Sequence, residues 1–153
     1  MITLTQDMVK YVNNIPIDYG VIMLHGCNCF HVQGAGIAKQ INKVWPEVLE
    51  VDKTTPYGDR DKLGTYSAVK VYNREGVPIV ILNCYTQYRY GRDRPHFERE
   101  ALIQCLEAIK RDYPDYTVHT PLIGGGLAGG DPYDIISILT NGLKDMEAIL
   151  FTP

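Results

Sequence analysis

The chain carries the segment PLIGGGLAGGD at residues 121–131, with five glycines among the seven positions 124–130. A segment that we predict to be a strand, residues 117–123, precedes these glycines, and a stretch with helical spacing, residues 132–146, follows them. Glycine permits positive φ and removes the Cβ atom, so the backbone N–H groups of such a loop can converge on an anion. A loop of this kind before a helix N-terminus predicts phosphate binding.

A second glycine-containing loop has the same setting. The segment QGAG, residues 33–36, lies between a continuous apolar run at residues 20–25 and a helical pattern at residues 37–44. By itself this shorter loop is more typical of a tight connection between two elements. Together, the two loops are able to hold a ligand with two phosphates.

Strand-like and helix-like segments alternate along the rest of the chain. We predict strands at residues 2–8, 20–25 and 117–123, a hairpin formed by 65–72 and 77–84, and a last strand at 148–151. The clearest amphipathic helix covers residues 96–111. This alternation predicts an α/β fold of three layers, with helices on both faces of a central sheet. A length of 153 residues and a hydrophobic content of 45% suit one domain, residues 1–153.

Composition excludes several classes of protein. The net charge of −3 does not favour nucleic acid, and no apolar run approaches the length of a membrane span. The first twelve residues lack the apolar core of a secretory signal. We therefore expect a cytoplasmic protein, monomeric and with reduced thiols.

Two familiar motifs fail on context or geometry, and a third is absent. Gly124, Gly126 and Gly129 match G-x-G-x-x-G, but this match lies near the end of the chain rather than in a first strand–turn–helix unit. No Walker A sequence is present. The alternating series His25, Cys27, Cys29, His31 cannot wrap a zinc ion from one extended segment, so we predict no metal site and no cofactor.

A few polar residues remain as candidates for chemistry. His25 and Asn28 end the buried strand beside the first loop, where ligands of α/β sheets bind. A histidine in this position suits proton transfer, although a buried structural histidine is the commoner case. Asp131 has the sequence of a helix N-cap, followed by Pro132. The loop at residues 85–94 mixes aromatic residues with three arginines, as in a small patch for single-stranded nucleic acid. With a net charge of −3, a solvated loop able to cover an adenosine diphosphate is the simpler interpretation.

Four segments taken together resemble the macro domain family. They are LHGCNC at 24–29, GAGIAK at 34–39, NCYTQ at 83–87 and PLIGGGLAGGD at 121–131. The chain is most similar to the branch of ADP-ribose 1″-phosphate phosphatases, in which a His-x-Cys-Asn-Cys segment precedes the first glycine loop. It lacks the lysine and the loop aspartate of the branch that removes ADP-ribose from carboxylates.

The resemblance implies a central mixed sheet with an ADP-ribose cleft at the strand ends. It implies that Asp7, with Met8, contacts adenine, that Asn28 lies near the distal ribose, and that His25 acts as general acid or base. As our own hypothesis, Asp131 or Gln87 orients the attacking water. The two loops would surround the diphosphate and distal ribose through Gly34, Ala35, Gly36, Ile37 and Ala38, and through Gly124, Gly125, Gly126, Leu127, Ala128, Gly129 and Gly130.

The reaction implied by the resemblance is metal-independent removal of the terminal phosphate from ADP-ribose 1″-phosphate. Two alternatives stay open. One is a module that binds ADP-ribose, free or attached to a protein, without turnover. The other is hydrolysis of O-acetyl-ADP-ribose or of protein-linked ADP-ribose.

Overall fold

Six strands form one mixed sheet in the computed structural model, which describes residues 1–153. The strands are β1 (Ile2–Leu4), β2 (Val21–Cys27), β3 (Tyr66–Tyr72), β4 (Pro78–Tyr85), β5 (Thr117–Pro121) and β6 (Ala148–Phe151). They lie in the order β1-β6-β5-β2-β4-β3. Every neighbouring pair is parallel except the hairpin β3–β4. The carboxyl ends of the five parallel strands therefore share one edge of the sheet.

Helices cover both faces of this sheet and complete three layers. One layer contains α1 (Met8–Asn13), α2 (Gly36–Val44) and α3 (Glu47–Asp52), and the other contains α4 (Arg99–Asp112) and α5 (Pro132–Gly142). A single 3-10 turn, Arg60–Lys62, precedes β3. Each face has its own apolar core, and β2 serves both because Ile22 and Leu24 point to one face while Val21 and Met23 point to the other. The predicted three-layer α/β fold with a central mixed sheet is confirmed.

The N-terminal segment differs from the sequence prediction. We predicted one strand over residues 2–8, whereas β1 ends at Leu4 and α1 begins at Met8. Asp7 caps this helix, since its carboxylate accepts a hydrogen bond from the Lys10 amide at 3.1 Å. Met8, Val9 and Val12 are buried, which is the spacing of one helical face. A cap followed by apolar residues at helical spacing was the signal for this helix.

None of the helices has both the length and the apolar character that a membrane-spanning helix requires.

Candidate functional site

A cleft of about 550 Å³ opens at the carboxyl edge of the sheet, and both glycine loops line it. The first loop follows β2 and the second follows β5, and these two strands are neighbours in the sheet. The loop that follows β4, on the other side of β2, forms a third wall. Cavities of roughly 300–1,000 Å³ are typical of small-molecule sites.

The first loop presents the unpaired end of helix α2. Ala35 occupies the N-cap position and no side chain caps the helix. The amides of Gly36, Ile37 and Ala38 have no hydrogen-bond partner within the chain, and all three residues line the cleft. A helix N-terminus with free N–H groups carries partial positive charge and attracts anions.

The second loop is tightly folded on itself and still leaves amides free. Gly124 has a φ of +77°, and a Cβ atom there would overlap the ring of Phe97. The Gly130 amide donates to the Gly124 carbonyl at 2.7 Å and so closes the loop. The amides of Gly126, Leu127 and Ala128 have no partner within the chain, and these residues line the cleft.

Not every glycine of the second loop faces the cleft. Gly125, Gly129 and Gly130 do not line it. Their amides are engaged inside the loop, with the Gly125 amide donating to Leu122 at 3.0 Å and the Gly129 amide donating to Gly126 at 3.1 Å. These three residues shape the loop rather than touch the space in which a ligand would bind.

The third wall carries the polar side chains Gln87, Tyr90 and Arg92. The start of this wall is fixed by an isolated antiparallel β-bridge between Gln87 and Phe97. The Gln87 side-chain amide donates to the Arg89 carbonyl at 2.8 Å. The Ala128 carbonyl accepts hydrogen bonds from the amides of His96 and Phe97, at 2.8 and 3.1 Å, which joins this wall to the second loop. Arg92 is the only residue lining the cleft that bears a formal charge.

Gly26 forms part of the cleft floor and leaves no room for a side chain. A Cβ atom at Gly26 would lie 2.9 Å from both Thr86 Oγ1 and Ile123 Cγ2. Thr86 Oγ1 is the one buried side-chain oxygen or nitrogen without a hydrogen-bond partner. The floor is therefore bare backbone with an unsatisfied hydroxyl group beside it.

Asn28 lines the cleft, as the sequence predicted for a site residue, and it also shapes the first loop. Its side-chain oxygen accepts from the amide of Phe30 at 2.9 Å, and its Nδ2 donates to the Val32 carbonyl at 2.8 Å. The bend that these bonds hold places His31 at a φ of +60°. His31 itself does not line the cleft, because its Nε2 lies 2.9 Å from the Thr55 carbonyl.

Gln33 tethers the first loop to a buried polar cluster under α3. Its Nε2 lies 3.0 Å from the carboxylate of Asp52 and 3.3 Å from Asn83 Oδ1, and its Oε1 accepts from Asn42 at 2.7 Å. Asp52 is fully buried and its other oxygen accepts from the Tyr85 hydroxyl group at 2.7 Å. Sequence reasoning missed this tether, since Asp52 and Asn83 lie 19 and 50 residues away from Gln33.

The structure places His25 under the cleft rather than in it. The imidazole is fully buried, and Nε2 donates to Asn83 Oδ1 at 2.6 Å. The Asn83 amide group is oriented by its own donation to Val48 and Ser67, which leaves Oδ1 as the acceptor. Burial lowers the pKa of His25 to about 4, so the ring is neutral near pH 7. This placement argues against the predicted acid–base contact between His25 and a ligand.

The two predicted acidic site residues also lie outside the cleft. Asp131 is the N-cap of α5 and accepts from the Tyr133 amide at 3.1 Å, which agrees with the capping interpretation. Asp7 lines a different cavity beside α1, together with Lys10 and Tyr19. The side chain of Met8 is buried in the core. The cleft thus contains none of the adenine contacts that the resemblance implies for Asp7 and Met8.

The four cysteines are buried, free thiols, and the environment of Cys27 and Cys29 disfavours the thiolate that a nucleophile requires. Burial raises the pKa of Cys29 to about 11 and raises that of Cys27 well above its usual range. No group of three or more His, Cys, Asp or Glu side chains has the geometry to hold a metal ion. No donor set for a metal therefore stands beside the cleft.

Comparison with solved structures gives the class of protein that this fold defines. The macrodomain of Mycobacterium tuberculosis DarG aligns with a TM-score of 0.73 and 20% identity over 100% of this chain and 98% of its own. A macrodomain protein of Streptomyces coelicolor gives 0.72 and 19% over 100% and 99%. Thermosipho africanus DarTG in complex with ADP-ribose gives 0.73 and 15% over 99% of this chain and 41% of its own. The fold is that of a macrodomain.

The chain belongs to the same family as the "uncharacterized 17.5 kDa protein in tk-vs intergenic region" of Enterobacteria phage T4. The two are 40% identical over 152 residues, which cover 94% of this chain and 95% of the phage protein. No protein-family model matches the chain.

Proposed function

We propose that the cleft binds ADP-ribose and its 1″-phosphate. The observation that carries this proposal is the set of unpaired amides on both sides of one cavity, at Gly36, Ile37 and Ala38 and at Gly126, Leu127 and Ala128. Amides held in this way suit a diphosphate, because they supply directed donors without a side chain between donor and anion. The ADP-ribose in the DarTG structure, whose fold is similar, supports the choice of nucleotide.

The proposal predicts that a side chain placed in the cleft blocks binding without harming the fold. Gly126 lines the cleft, does not have a positive φ, and a Cβ atom there would meet nothing within 4 Å. Gly126→Val should therefore keep the unfolding temperature within a few degrees and weaken ADP-ribose binding at least about tenfold, the effect of losing one charge-assisted contact. Calorimetric titration measures the affinity.

Thr140→Val is the matched control, because Thr140 is exposed on α5 and does not line the cleft. It should bind ADP-ribose like the wild-type chain. No binding by the wild-type protein, or equal binding by the Gly126 variant, would contradict the proposal.

Removal of the terminal phosphate from ADP-ribose 1″-phosphate is the reaction we propose for this cleft. Free amides are able to stabilise charge on the equatorial oxygens of the phosphoryl group during transfer. The observation that favours hydrolysis over binding alone is Gln87, whose Nε2 is held by the Arg89 carbonyl while Oε1 has no partner. Oε1 is therefore free to accept a hydrogen bond from water, whose oxygen would attack phosphorus as the bond to the ribose oxygen breaks. No His, Cys, Asp, Glu or Lys lines the cleft to do this instead. The proton that the water loses would pass through solvent to the ribose oxygen, so that the products are ADP-ribose and inorganic phosphate.

The measurement is release of inorganic phosphate from ADP-ribose 1″-phosphate, with and without a chelator. We expect release that chelation leaves unchanged. Gln87→Ala should lower kcat at least about tenfold while the affinity for ADP-ribose changes little, since the role of Gln87 is to orient water. Binding without any phosphate release would reduce the function to that of a binding module.

A further inference from the structure

The cleft has one charged side chain, and it stands on the third wall. Arg92 lies in the loop between β4 and α4, beyond Gln87 and Tyr90, and it is exposed. All other residues that line the cleft are neutral. Any electrostatic selection by a side chain in this cleft must therefore come from Arg92.

The guanidinium group of Arg92 has no partner within the chain. The nearest acid in the sequence, Asp93, is paired with other residues. One carboxylate oxygen of Asp93 lies 2.9 Å from His96 Nε2, and the other lies 3.8 Å from Arg94 Nε. No hydrogen bond or ion pair joins Arg92 to any residue. Its full charge and all five donors are available to a ligand.

The walls of the cleft differ in polarity along the sheet edge. Pro121 ends β5, and Leu122 and Ile123 follow it, so the cleft wall at this strand is apolar. Asn28 follows β2 together with the apolar Val32 and Ile37, and Arg92 follows β4. The two rows of free amides lie over the junction of β2 and β5, because those strands precede the two glycine loops. With a diphosphate at this junction and its base against the apolar wall, the terminal ribose of the ligand would extend towards β4 and Arg92.

We infer that Arg92 is a specificity residue that recognises a phosphate on the terminal ribose of the ligand. The inference rests on the proposed function, since the diphosphate must occupy the amides. Those amides already satisfy the diphosphate, which leaves the guanidinium group for a further anion at the polar end. A phosphate monoester carries close to two negative charges near pH 7 and matches the two-pronged geometry of arginine.

The test compares two ligands on one set of variants. The ligands are ADP-ribose and the analogue of its 1″-phosphate in which a phosphonate prevents hydrolysis during titration. The variants are wild type, Arg92→Gln, Arg92→Lys and Arg94→Gln. Arg94 is the matched control, because it belongs to the same loop and is exposed but does not line the cleft.

We expect the wild type to bind the phosphonate about tenfold more tightly than ADP-ribose, which is the effect of one charge-assisted pair. Arg92→Gln should bring the two affinities within about twofold, while its affinity for ADP-ribose itself stays nearly constant. Arg92→Lys should keep part of the preference, since it retains charge but not the paired donors. Arg94→Gln should retain all of it.

Three results overturn the inference. They are a wild type that binds ADP-ribose with no preference for the phosphonate, an Arg92→Gln variant that binds both ligands as the wild type does, and an Arg92→Gln variant that loses affinity for both ligands equally. The last result would put Arg92 on the diphosphate. A wild type that binds neither ligand contradicts the proposed function itself.

Discussion

Single residues divide into those whose backbone meets the cleft and those that hold that backbone in place. Gly36 and Gly126 offer amides, whereas Gln33 and Asn28 fix the first loop through their side-chain amides. His25 belongs to the second group, because its ring supports Asn83 beneath the floor. A buried neutral histidine in such a position makes stability depend on pH, which separates a structural role from a catalytic one.

The free energy of unfolding should fall in acid because of His25. The folded pKa is about 4 and the unfolded value about 6.5, so the unfolded chain binds more protons between these values. The contribution of His25 to the free energy of unfolding is therefore fully present above pH 6.5. It decreases as the pH falls below this value and stops decreasing below about pH 4. From pH 7.5 to pH 5 the loss from this residue is about 2 kcal/mol.

Urea unfolding of the wild type and of His25→Gln at pH 7.5 and pH 5 measures this term. Glutamine retains a donor for Asn83 but does not titrate, so the variant should lose about 2 kcal/mol less than the wild type over this interval. His119, whose pKa burial also lowers, contributes equally to both proteins. An identical pH dependence in the two proteins would contradict the assignment.

The helices that begin at the carboxyl edge of the sheet differ in whether a side chain accepts hydrogen bonds from their first amides. Asp7 caps α1 and Asp131 caps α5, whereas α2 has alanine at its N-cap and faces the cleft. An aspartate cap supplies both an acceptor and a negative charge, which would repel an anionic ligand. The absence of a cap on α2 thus leaves that helix end to a ligand.

Asp131→Ala should lower the free energy of unfolding by about 1 kcal/mol, because the Tyr133 amide loses its acceptor at the start of α5. Affinity for ADP-ribose should stay the same, since Asp131 does not line the cleft. Urea unfolding and calorimetric titration together check both parts. Asp131→Asn, which keeps the cap, serves as control. Intact binding with slower phosphate release in both variants would instead support the predicted role of the carboxylate in orienting water.

Sequence patterns sufficed for elements whose periodicity is strong. The apolar run before Cys27, the hairpin of β3 and β4, and the stripe of α4 are all found close to the predicted positions. Helix α1 was missed because it has only six residues and begins where strand-like alternation continues. The partners of His25 and Gln33 were not predictable, because strand order brings Asn83 and Asp52 beside them from distant positions.

The whole molecule makes the cleft through its strand order. The chain passes from β2 through two further strands before reaching β5, yet the two lie side by side. Only this adjacency turns two separate glycine loops into facing walls, and local sequence contains no information on it. The resemblance to macro domains predicted that the two glycine loops surround one cleft, whereas the periodicity of the sequence could not predict it. A ligand that bridges both loops joins segments about 90 residues apart, so binding should stabilise the entire fold.

Thermal unfolding with ADP-ribose tests this coupling. At a ligand concentration one hundred times Kd, binding to the folded state contributes about 2.7 kcal/mol. For a chain of this length each kcal/mol raises Tm by roughly 2–4 °C, so we expect a rise of about 5–10 °C.

The molecule also has a cavity of about 650 Å³ beside α1, lined by Asp7, Lys10 and Tyr19. Gly126→Val blocks only the cleft between the loops and should reduce the rise to about half or less, whereas an undiminished rise in that variant would place the nucleotide beside α1.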